Sequence, residues 1–435
     1  FGAVDQIATV YLNHKELMTH MGGYLPFQVD ITDEIQETNI LTLKVKDTLN
    51  HALPYGKQKT KRGGMWYTPV SGIWQSVWVE SVSGDYIRNL KITPTLTDVT
   101  IEIDCNNDLD KIIRITTQEG MIEKVVSKNK ILIPIENPKL WSPETPYLYE
   151  FEIESKGDRI TSYFALRTLS IQKINQIPRL CLNGKPYFFH GILDQGYYSD
   201  GIYLPASSAG YRKDIMTMKE LGFNTLRKHI KVEPANYYYL CDKIGMIVFQ
   251  DLISNGMYSF IRDTALPTIG FTKFPDWGFL RSKKVRSNFI TTAKETIDYL
   301  YHFPSICYWT IFNEGWGQFQ SDDLYDRVKE QDSTRFIDST SGWFWQKKSD
   351  VDSYHIYFKP IQMKKSERPI VLSEFGGYGL KEIEHSFNLR RTYGYRLYKE
   401  KKELQKALNK VYLEEILKVD VEDMKKISTG LGRRK

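Results

Sequence analysis

The sequence predicts a multidomain protein in which two all-β sandwiches precede a parallel α/β barrel. The length of 435 residues is too great for one small core, which favours two or more domains. Residues 1–171 show short runs of alternating apolar residues, separated by Gly, Pro and Asn turns. After about Gln172 the pattern changes to apolar strands that alternate with amphipathic helices, which is typical of a parallel α/β domain.

The two sandwiches are predicted from the rhythm of their strands. Residues 1–83 hold three clear alternating runs, which indicate an antiparallel sandwich: "ATVYLN", "ILTLKVKD" and "GIWQSVWVE". Residues 84–171 hold six runs with the spacing of a small immunoglobulin-like sandwich: "YIRNLKITPTL", "VTIEIDC", "KIIRITT", "KILIPI", "LYEFEIES" and "RITSYFAL".

Residues 172–435 are predicted to form a (β/α)8 barrel. Seven apolar strands can be counted: "YFFHGIL", "TLRKHI", "MIVFQDL", "ICYWTIFNE", "RFIDST", "SYHIYF" and "PIVLSEF". The clearest helical segments between them are Tyr211 to Leu221, Pro234 to Ile244 and Ser287 to His302. After Ser341 the intervals are tight, so we expect short helices or none between the last three strands. Seven strands are one fewer than this barrel needs.

Composition excludes several classes of protein. The chain has 41% hydrophobic and 26% charged residues, as is usual for a globular protein. It has no run of eighteen apolar residues, so we expect no membrane span. The four cysteines form no metal-binding pattern, so neither a zinc site nor a dense disulfide framework is predicted. Much of the net charge of +6 lies in the last forty residues, where it fits the solvated face of a helix better than a nucleic-acid contact.

Two glutamates each end an apolar run beside glycine. "TIFNEGWGQ" places Glu314 at the end of the fourth strand, and "IVLSEFGGYG" places Glu374 at the end of the seventh. Side chains at the C-terminal ends of barrel strands share one bowl, so these two carboxylates are expected to face each other. A facing pair suits glycoside hydrolysis, and a separation of about 5–5.5 Å predicts retention of configuration. Either glutamate alone fits a helix cap or an ion pair equally well.

These motifs resemble those of glycoside hydrolase family 2, which contains β-galactosidases, β-glucuronidases and β-mannosidases. "NEGWGQF" and "SEFGG" resemble its acid/base and nucleophile motifs. "GGMWYTPVSGIWQSVWVE" resembles the signature of its sugar-binding jelly roll, which residues 1–83 would form. The other matching segments lie in the second sandwich and in the first three barrel strands: "NPKLWSPETPYLY", "FALRTLSI", "GILDQGYYSDG", "LGFNTLRKHIKVEP" and "CDKIGMIVFQD".

The resemblance implies a role for several residues. Glu314 would be the general acid/base and Glu374 the nucleophile, while Asn313 would bond the sugar 2-hydroxyl. The other candidates for substrate binding are His355, Tyr357, His229, Asp194, Gln195 and Trp343. From the residues alone, a histidine in an apolar run is more often a core residue, Asp194 and Gln195 fit a loop turn, and Trp343 fits packing. The mechanism requires neither a metal nor a cofactor, and we expect none.

The sequence therefore predicts a retaining exo-β-glycosidase that uses two glutamates in a double displacement. Its partner would be a glycoside substrate, and a homo-oligomer is usual in the family. We expect a β-galactoside, which is common in the family. A glucuronide would need a cationic clamp, for which Lys228 and Lys231 are available. The alternative is a carbohydrate-binding remnant without catalysis.

Both ends of the chain depart from the family pattern. Further jelly-roll strands would precede "FGAVD", and the chain starts without Met in a segment typical of the middle of a strand, so no cellular location is assigned. Arg390 to Leu417 is predicted to be a long basic amphipathic helix. The "DVED" after it resembles the segment beyond the eighth strand, but no strand precedes it. A deletion or frame disruption would give this pattern, so we expect a fragment whose barrel lacks its last strand.

Overall fold

The structure is a computed structural model, and it describes residues 1–61, 63–105, 109–363, 365–384, 390 and 393–416. The first part of the chain is rich in antiparallel strands, and the later part is built from parallel strands and helices. Within the described residues, no helix combines the length and the apolar character that crossing a membrane requires.

The first 83 residues form a small antiparallel sheet of order β3-β2-β4 and a two-stranded pair, β1-β5. The strands are β1 Val4–Asp5, β2 Ile7–Leu12, β3 Lys15–Met21, β4 Leu41–Lys46 and β5 Gly72–Ile73, with a 3-10 turn at Thr32–Glu34. The predicted strand "GIWQSVWVE" is wrong beyond Ile73. No strand in the described residues pairs with positions 74–80, and Trp78 and Val79 are exposed. Trp74 instead turns inward and donates from Nε1 to the Gly23 carbonyl.

The next region contains two antiparallel sheets that share one hydrophobic core, of order β10-β7-β6 and β12-β11-β8-β9. Alternating aliphatic residues explain this packing, since Val99, Ile101 and Ile103 of β7 all point into the core. All six predicted strands are present, and β9 is an addition. The bounds are β6 Ile87–Pro94, β7 Asp98–Cys105, β8 Lys111–Thr117, β9 Gly120–Val126, β10 Lys130–Pro134, β11 Tyr149–Ser155 and β12 Asp158–Phe164.

A hairpin that the sequence analysis missed leads into the barrel. It consists of β13 Leu169–Ile174, β14 Ile177–Leu182 and β15 Lys185–Pro186. Leu180 and Leu182 pack against Ile247 and Tyr308 near the N-terminal ends of two barrel strands. Just before the hairpin, the buried Arg167 donates to the carbonyls of Pro304 and Ile306 at 2.9 and 2.8 Å. These contacts cover the N-terminal end of the barrel and leave its C-terminal end for a site.

The seven predicted barrel strands are all present. Five form one parallel sheet in chain order: β16 Gly191–Asp194, β17 Thr225–Lys228, β18 Ile247–Asp251, β19 Ile306–Asn313 and β20 Phe336–Ser341. β21 Asp352–Ile356 and β22 Ile370–Phe375 form a separate parallel pair. β19 is buried at every position, as expected of a parallel strand covered on both faces. As predicted, the described residues between β20 and β22 contain no helix.

Most of the helices lie between the parallel strands, and the last α-helix follows the last strand that the structure describes. They are α1 Ser208–Glu220, α2 Ala235–Ile244, α3 Leu266–Thr268, α4 Lys283–Leu300, α5 Ser321–Gln331 and α6 Lys401–Asn409. A π-helical turn at Ile261–Ala265 precedes α3, a second one at Lys410–Ile416 follows α6, and a 3-10 turn spans Asp276–Gly278. The helices predicted around 211–221, 234–244 and 287–302 correspond to α1, α2 and α4.

The predicted helix from Arg390 to Leu417 begins later than expected. β24 Arg396–Tyr398 pairs in parallel with β23 Tyr378–Leu380, so the helix starts only at Lys401. The backbone groups of this segment satisfy a strand partner instead of a helical turn. The "DVED" segment, at 420–423, lies outside the described residues, and so does most of the region where an eighth strand would be sought.

Candidate active site

The two predicted glutamates meet at the C-terminal end of the barrel. Glu314 directly follows β19, and Glu374 is the fifth residue of β22. One ligand-type atom from each of Glu314, His355 and Glu374 lies within 4.8 Å of the others. The side chains of Glu314 and Glu374 are 12% and 5% exposed. The structure thus brings the two carboxylates together.

His355 lies between the two carboxylates. Its Nδ1 is 2.8 Å from Oε1 of Glu314, and its Nε2 is 3.6 Å from Oε1 of Glu374. Ser341 Oγ lies 3.0 Å from the same Nε2, and Trp343 packs edge-on against the ring at 5.6 Å between centroids. Gly342 makes room for the ring: its φ is +92°, and a Cβ there would lie 2.6 Å from Nδ1. A glycine is therefore required at this position.

Arg227, at the third position of β17, connects the site residues. Its guanidinium forms a two-pronged ion pair with Asp251, at 3.0 and 3.1 Å, and donates to Oδ1 of Asn313 at 2.9 Å. Its Nη1 donates to Oε1 of Glu374, also at 2.9 Å. One buried cation thus links β17, β18, β19 and β22. The sequence analysis missed Asp251, although a polar residue that ends a buried strand was the same signal that identified Glu314.

The surroundings of Glu374 favour its ionised form. Burial alone would raise the pKa of this carboxyl, but the neighbouring His355 and the charge of Arg227 outweigh burial and hold the pKa well below its ordinary value. Tyr357 donates its hydroxyl to Oε2 of Glu374. Burial, followed by the charge of Glu374, keeps the pKa of the Tyr357 hydroxyl far above its ordinary value, so it remains a donor.

His229 lies below the carboxylates and is completely buried. Its Nδ1 is 2.7 Å from Oδ2 of Asp251 and 3.8 Å from Oε1 of Glu374. Burial first, and then the charge of Lys57, lower the pKa of His229. Asp251 holds Arg227 and His229 together, and the charge of Arg227 and the hydrogen bond of His229 offset the effect of burial and lower the pKa of Asp251.

Among the contacts of the described residues, Asp194 and Gln195 form no hydrogen bond or ion pair with the two glutamates. Asp194 forms an ion pair with Lys228 at 2.8 Å and accepts from the Tyr237 hydroxyl at 2.9 Å. Gln195 is exposed. Lys228 and Lys231 are both completely buried, and each lies 2.8 Å from Oε1 of Glu233.

This arrangement corrects one sequence-based expectation, that Lys228 and Lys231 are available as a cationic clamp. Both ammonium groups are neutralised by carboxylates of the chain and face away from solvent. They hold the loops after β16 and β17 together instead.

Residues from the first part of the chain complete the wall of the bowl. Trp316 is 2% exposed and packs with Tyr55 and Ile230, and Trp66 meets its ring edge-on at 5.6 Å. The backbone of Tyr67 donates to the carbonyl of Lys57, and its hydroxyl donates to the carbonyl of His229 at 3.1 Å. No sequence pattern indicates that Tyr55, Trp66 and Tyr67 contact the barrel.

The donor set of Glu314, His355 and Glu374 has the types of atoms and the closeness that a divalent metal ion requires. These atoms already bond one another, Arg227 and Tyr357.

Two family models match this chain, one over the barrel and one over the β-rich region before it. Residues 173–429, more than half of the chain, match the family model described as "Glycosyl hydrolases family 2, TIM barrel domain". Residues 85–167 match a second model, described as "Glycosyl hydrolases family 2". The chain belongs to glycosyl hydrolase family 2. The predicted family, its TIM-barrel domain and the β-rich regions before it are confirmed.

The curated relatives of this family 2 chain include proteins named β-glucuronidase and proteins named β-galactosidase. It is 24% identical over 430 residues to a putative β-glucuronidase of Formosa agariphila, a match that covers 87% of this chain and 48% of the relative. It is 25% identical over 279 residues to a β-galactosidase of Thermoanaerobacter pseudethanolicus, covering 58% of this chain and 36% of the relative. The family 2 chain thus spans half the length of these relatives or less.

Solved structures support the fold of the family 2 chain. A β-glucuronidase from an uncultured Clostridium species superposes with a TM-score of 0.67 at 20% identity, over 91% of this chain and 72% of that one. A β-D-glucuronidase from Dictyoglomus thermophilum gives the same TM-score at 18% identity, over 91% and 74%. At these identities the likeness concerns the fold alone.

Proposed function

We propose that this family 2 chain is a retaining exo-β-glycosidase that works by double displacement. The observation that carries the proposal is the separation of the two carboxylates. Their nearest oxygens lie within 4.8 Å of each other. This closeness supports the pair of a retaining enzyme, whose carboxyl groups stand about 5–5.5 Å apart, over the wider pair of an inverting one, at about 6.5–9.5 Å.

In the first step Glu374 attacks the anomeric carbon while Glu314 gives its proton to the glycosidic oxygen. The bond between the anomeric carbon and that oxygen breaks, and the aglycone leaves as an alcohol. In the second step Glu314 takes a proton from water, the water oxygen attacks the anomeric carbon, and Glu374 departs as a carboxylate. The sugar is released with its original configuration.

The contacts of the two glutamates support this division of roles. Glu374 accepts from Arg227 and Tyr357, so it stays ionised and oriented for attack. Glu314 is the more exposed of the two and bonds His355, which places it where a leaving group and then water can reach it. Asn313 accepts from Arg227 through Oδ1, which leaves its amide Nδ2 to donate to a sugar hydroxyl.

The intact cluster favours an enzyme over a carbohydrate-binding remnant. A remnant needs only a pocket, whereas here a buried arginine, a histidine and a tyrosine converge on the carboxylate that would attack. Relatives named β-glucuronidase and β-galactosidase both match the chain, so the names of the relatives support a glucuronide and a galactoside equally. The sequence-based expectation is a β-galactoside.

The test is a panel of aryl β-glycosides with the four common glycones, galactoside, glucuronide, mannoside and glucoside. The expected result is turnover of one of them, with kcat reduced by about 10⁴-fold or more in Glu374→Gln and in Glu314→Gln. Glu367→Gln is the matched control, because its side chain is 90% exposed and pairs with Lys173 rather than with a residue of the cluster. Nuclear magnetic resonance of the first-formed sugar should show the β-anomer. A folded wild-type protein that hydrolyses none of the panel would support the binding remnant instead.

A further inference from the structure

A cavity of about 130 Å³ lies at the end of the barrel opposite the two glutamates. Three parts of the chain line it: β6, the segment that follows β12, and the barrel loops that precede β19 and β20. Loops that precede parallel strands lie at the N-terminal end of a barrel, whereas both glutamates lie at the C-terminal end. A water molecule needs at least roughly 10–15 Å³ of such space, so this cavity can hold several waters or one small polyatomic ion.

Arg167 lines this cavity, and only 4% of the residue is exposed. Its Nε donates to the Pro304 carbonyl at 2.9 Å, its Nη1 to the Thr334 carbonyl at 3.3 Å, and its Nη2 to the Ile306 carbonyl at 2.8 Å. A guanidinium carries five N–H donors, two on each Nη and one on Nε. Within the described residues, two N–H groups of Arg167 therefore have no acceptor of their own.

Arg335 lines the same cavity, but its five donors are all used. Its guanidinium donates to the carbonyls of Ile306, Tyr301 and Phe303, to the Asp332 carboxylate and to the Thr334 hydroxyl. Arg167 and Arg335 share the Ile306 carbonyl, at 2.8 and 2.9 Å, so two positive charges lie close together. In the part of the chain that the structure describes, Asp332 is the only carboxylate that forms an ion pair with either arginine. The cavity wall therefore carries one positive charge in excess.

Two other polar side chains of the wall, the Thr168 hydroxyl and the His302 imidazole, have no hydrogen-bond partner among the described residues. Burial, followed by the charge of a neighbouring guanidinium, lowers the pKa of His302 to about 4, so the ring is neutral at pH 7 and carries one N–H. The carbonyls of Pro304 and Thr334 already accept from a guanidinium. The wall thus offers unused donors, which suits a ligand rich in acceptor oxygens.

We propose that this cavity is a binding site for a small oxyanion: inorganic phosphate, sulfate or the carboxylate of a short organic acid. The anion accepts from the two unused N–H groups of Arg167 and from the Thr168 hydroxyl, and it neutralises the excess charge. A buried cation without an anionic partner is costly, and a guanidinium binds oxyanions through paired hydrogen bonds. The bound anion therefore holds the β6–β12 region against the N-terminal end of the barrel.

The first experiment measures thermal unfolding of the full chain in sodium phosphate, sulfate and acetate, with sodium chloride at equal ionic strength as the control for screening. At about ten times its Kd, at least one oxyanion should raise the unfolding midpoint by roughly 1–3 °C above the chloride value. Calorimetry with that anion gives its Kd. If no oxyanion stabilises the protein more than chloride does, water alone fills the cavity and the proposal is overturned.

Variants then test whether the anion binds in this cavity. Thr168→Val keeps the shape of the side chain and removes the hydroxyl, so it should raise the Kd by about 3- to 10-fold while the protein remains folded. Arg167→Lys keeps the charge but loses the paired donors and should raise the Kd by roughly 10-fold or more. Arg159→Met is the control, because its side chain is 68% exposed and pairs with Glu152. A Kd that is the same in Thr168→Val, Arg167→Lys and Arg159→Met contradicts the site.

A crystal soaked in sodium selenate locates the anion directly. The expected result is an anomalous selenium peak within hydrogen-bond distance of Arg167 and Thr168. Peaks that occur only elsewhere on the protein overturn the proposal. None of these measurements depends on hydrolysis, so the anion site is tested separately from the proposed glycosidase activity.

Discussion

Replacing Gly342 by alanine tests whether the position of His355 controls the pair of glutamates. The new Cβ would lie 2.6 Å from Nδ1 of the ring, whereas ordinary contact begins at 3.4 Å. The ring must therefore retreat by about 0.8 Å, which removes its Nδ1 from hydrogen-bond distance of Glu314. A misplacement of about 1 Å in a catalytic group can reduce the rate by ~100-fold. We expect kcat to fall by roughly 10- to 100-fold with little change in KM.

Gly222→Ala is the matched control for backbone strain. Gly222 has a φ of +90°, close to the +92° of Gly342, but a Cβ there meets nothing within 4 Å. Both variants should lose about 1–2 kcal/mol of stability through the left-handed conformation, measured by urea unfolding. Only Gly342→Ala should lose activity on the aryl glycoside that the wild-type protein hydrolyses. Equal kcat values for the two variants would refute the positioning role of His355.

Three further predictions follow from the same structure. Tyr357→Phe removes a donor to the ionised Glu374. We expect kcat to fall by about 10-fold and the acidic limb of the pH profile of kcat/KM to move to higher pH. Unchanged values would show that Arg227 alone holds the carboxylate. Lys228→Met leaves Asp194 and Glu233 without the cation that they share, and it should reduce the free energy of unfolding by about 3–5 kcal/mol. Lys213→Met, at an exposed position, should have no effect. Similar free energies of unfolding for the two variants would contradict the network. Burial raises the pKa of Asp242 to about 7 from 3.8. Between these two pKa values the folded state holds a proton that the unfolded state releases. The free energy of unfolding should therefore fall as the pH rises from about 4 to 7, by up to about 1.4 kcal/mol per pH unit. Asp242→Asn should remove that slope in urea titrations, and an unchanged slope would show that the carboxyl is not protonated in the fold.

The barrel was predictable because local signals describe it. Parallel strands such as β19 are continuous apolar runs, and a charged residue at the end of such a run has few structural explanations. Glu314 and Glu374 were found in this way. The tight intervals after Ser341 predicted short helices or none, and the described residues between β20 and β22 contain none. Asp251 carries the same signal at the end of β18, so it could have been found too.

The remaining site residues depend on distant contacts that no local pattern contains. Tyr67 and His229 come from different regions of the chain, and only the folded backbone brings Gly56 against Ile230. Lys228 and Lys231 show the converse error. Their position beside a strand end was correct, but Asp194 and Glu233 neutralise them, and sequence spacing does not reveal such pairing. Trp78 belongs to the part of an alternating run, beyond Ile73, that has no strand partner in the described residues, so periodicity alone predicted a longer strand than the one that forms.

The separate pairing of β21 and β22 has a consequence for motion. Within the described residues this pair shares no backbone ladder with β20 or β16, and it is joined to the sheet through side chains such as Arg227 with Glu374 and Ser341 with Ser373. Local opening follows the weakest cooperative units of a fold. The amide hydrogens of β21 and β22 should therefore exchange with solvent together and before those of β17 to β19. Such an opening would carry Glu374 away from Glu314 while the rest of the sheet stays closed, so a bound sugar that bridges the two should slow the exchange of this pair most.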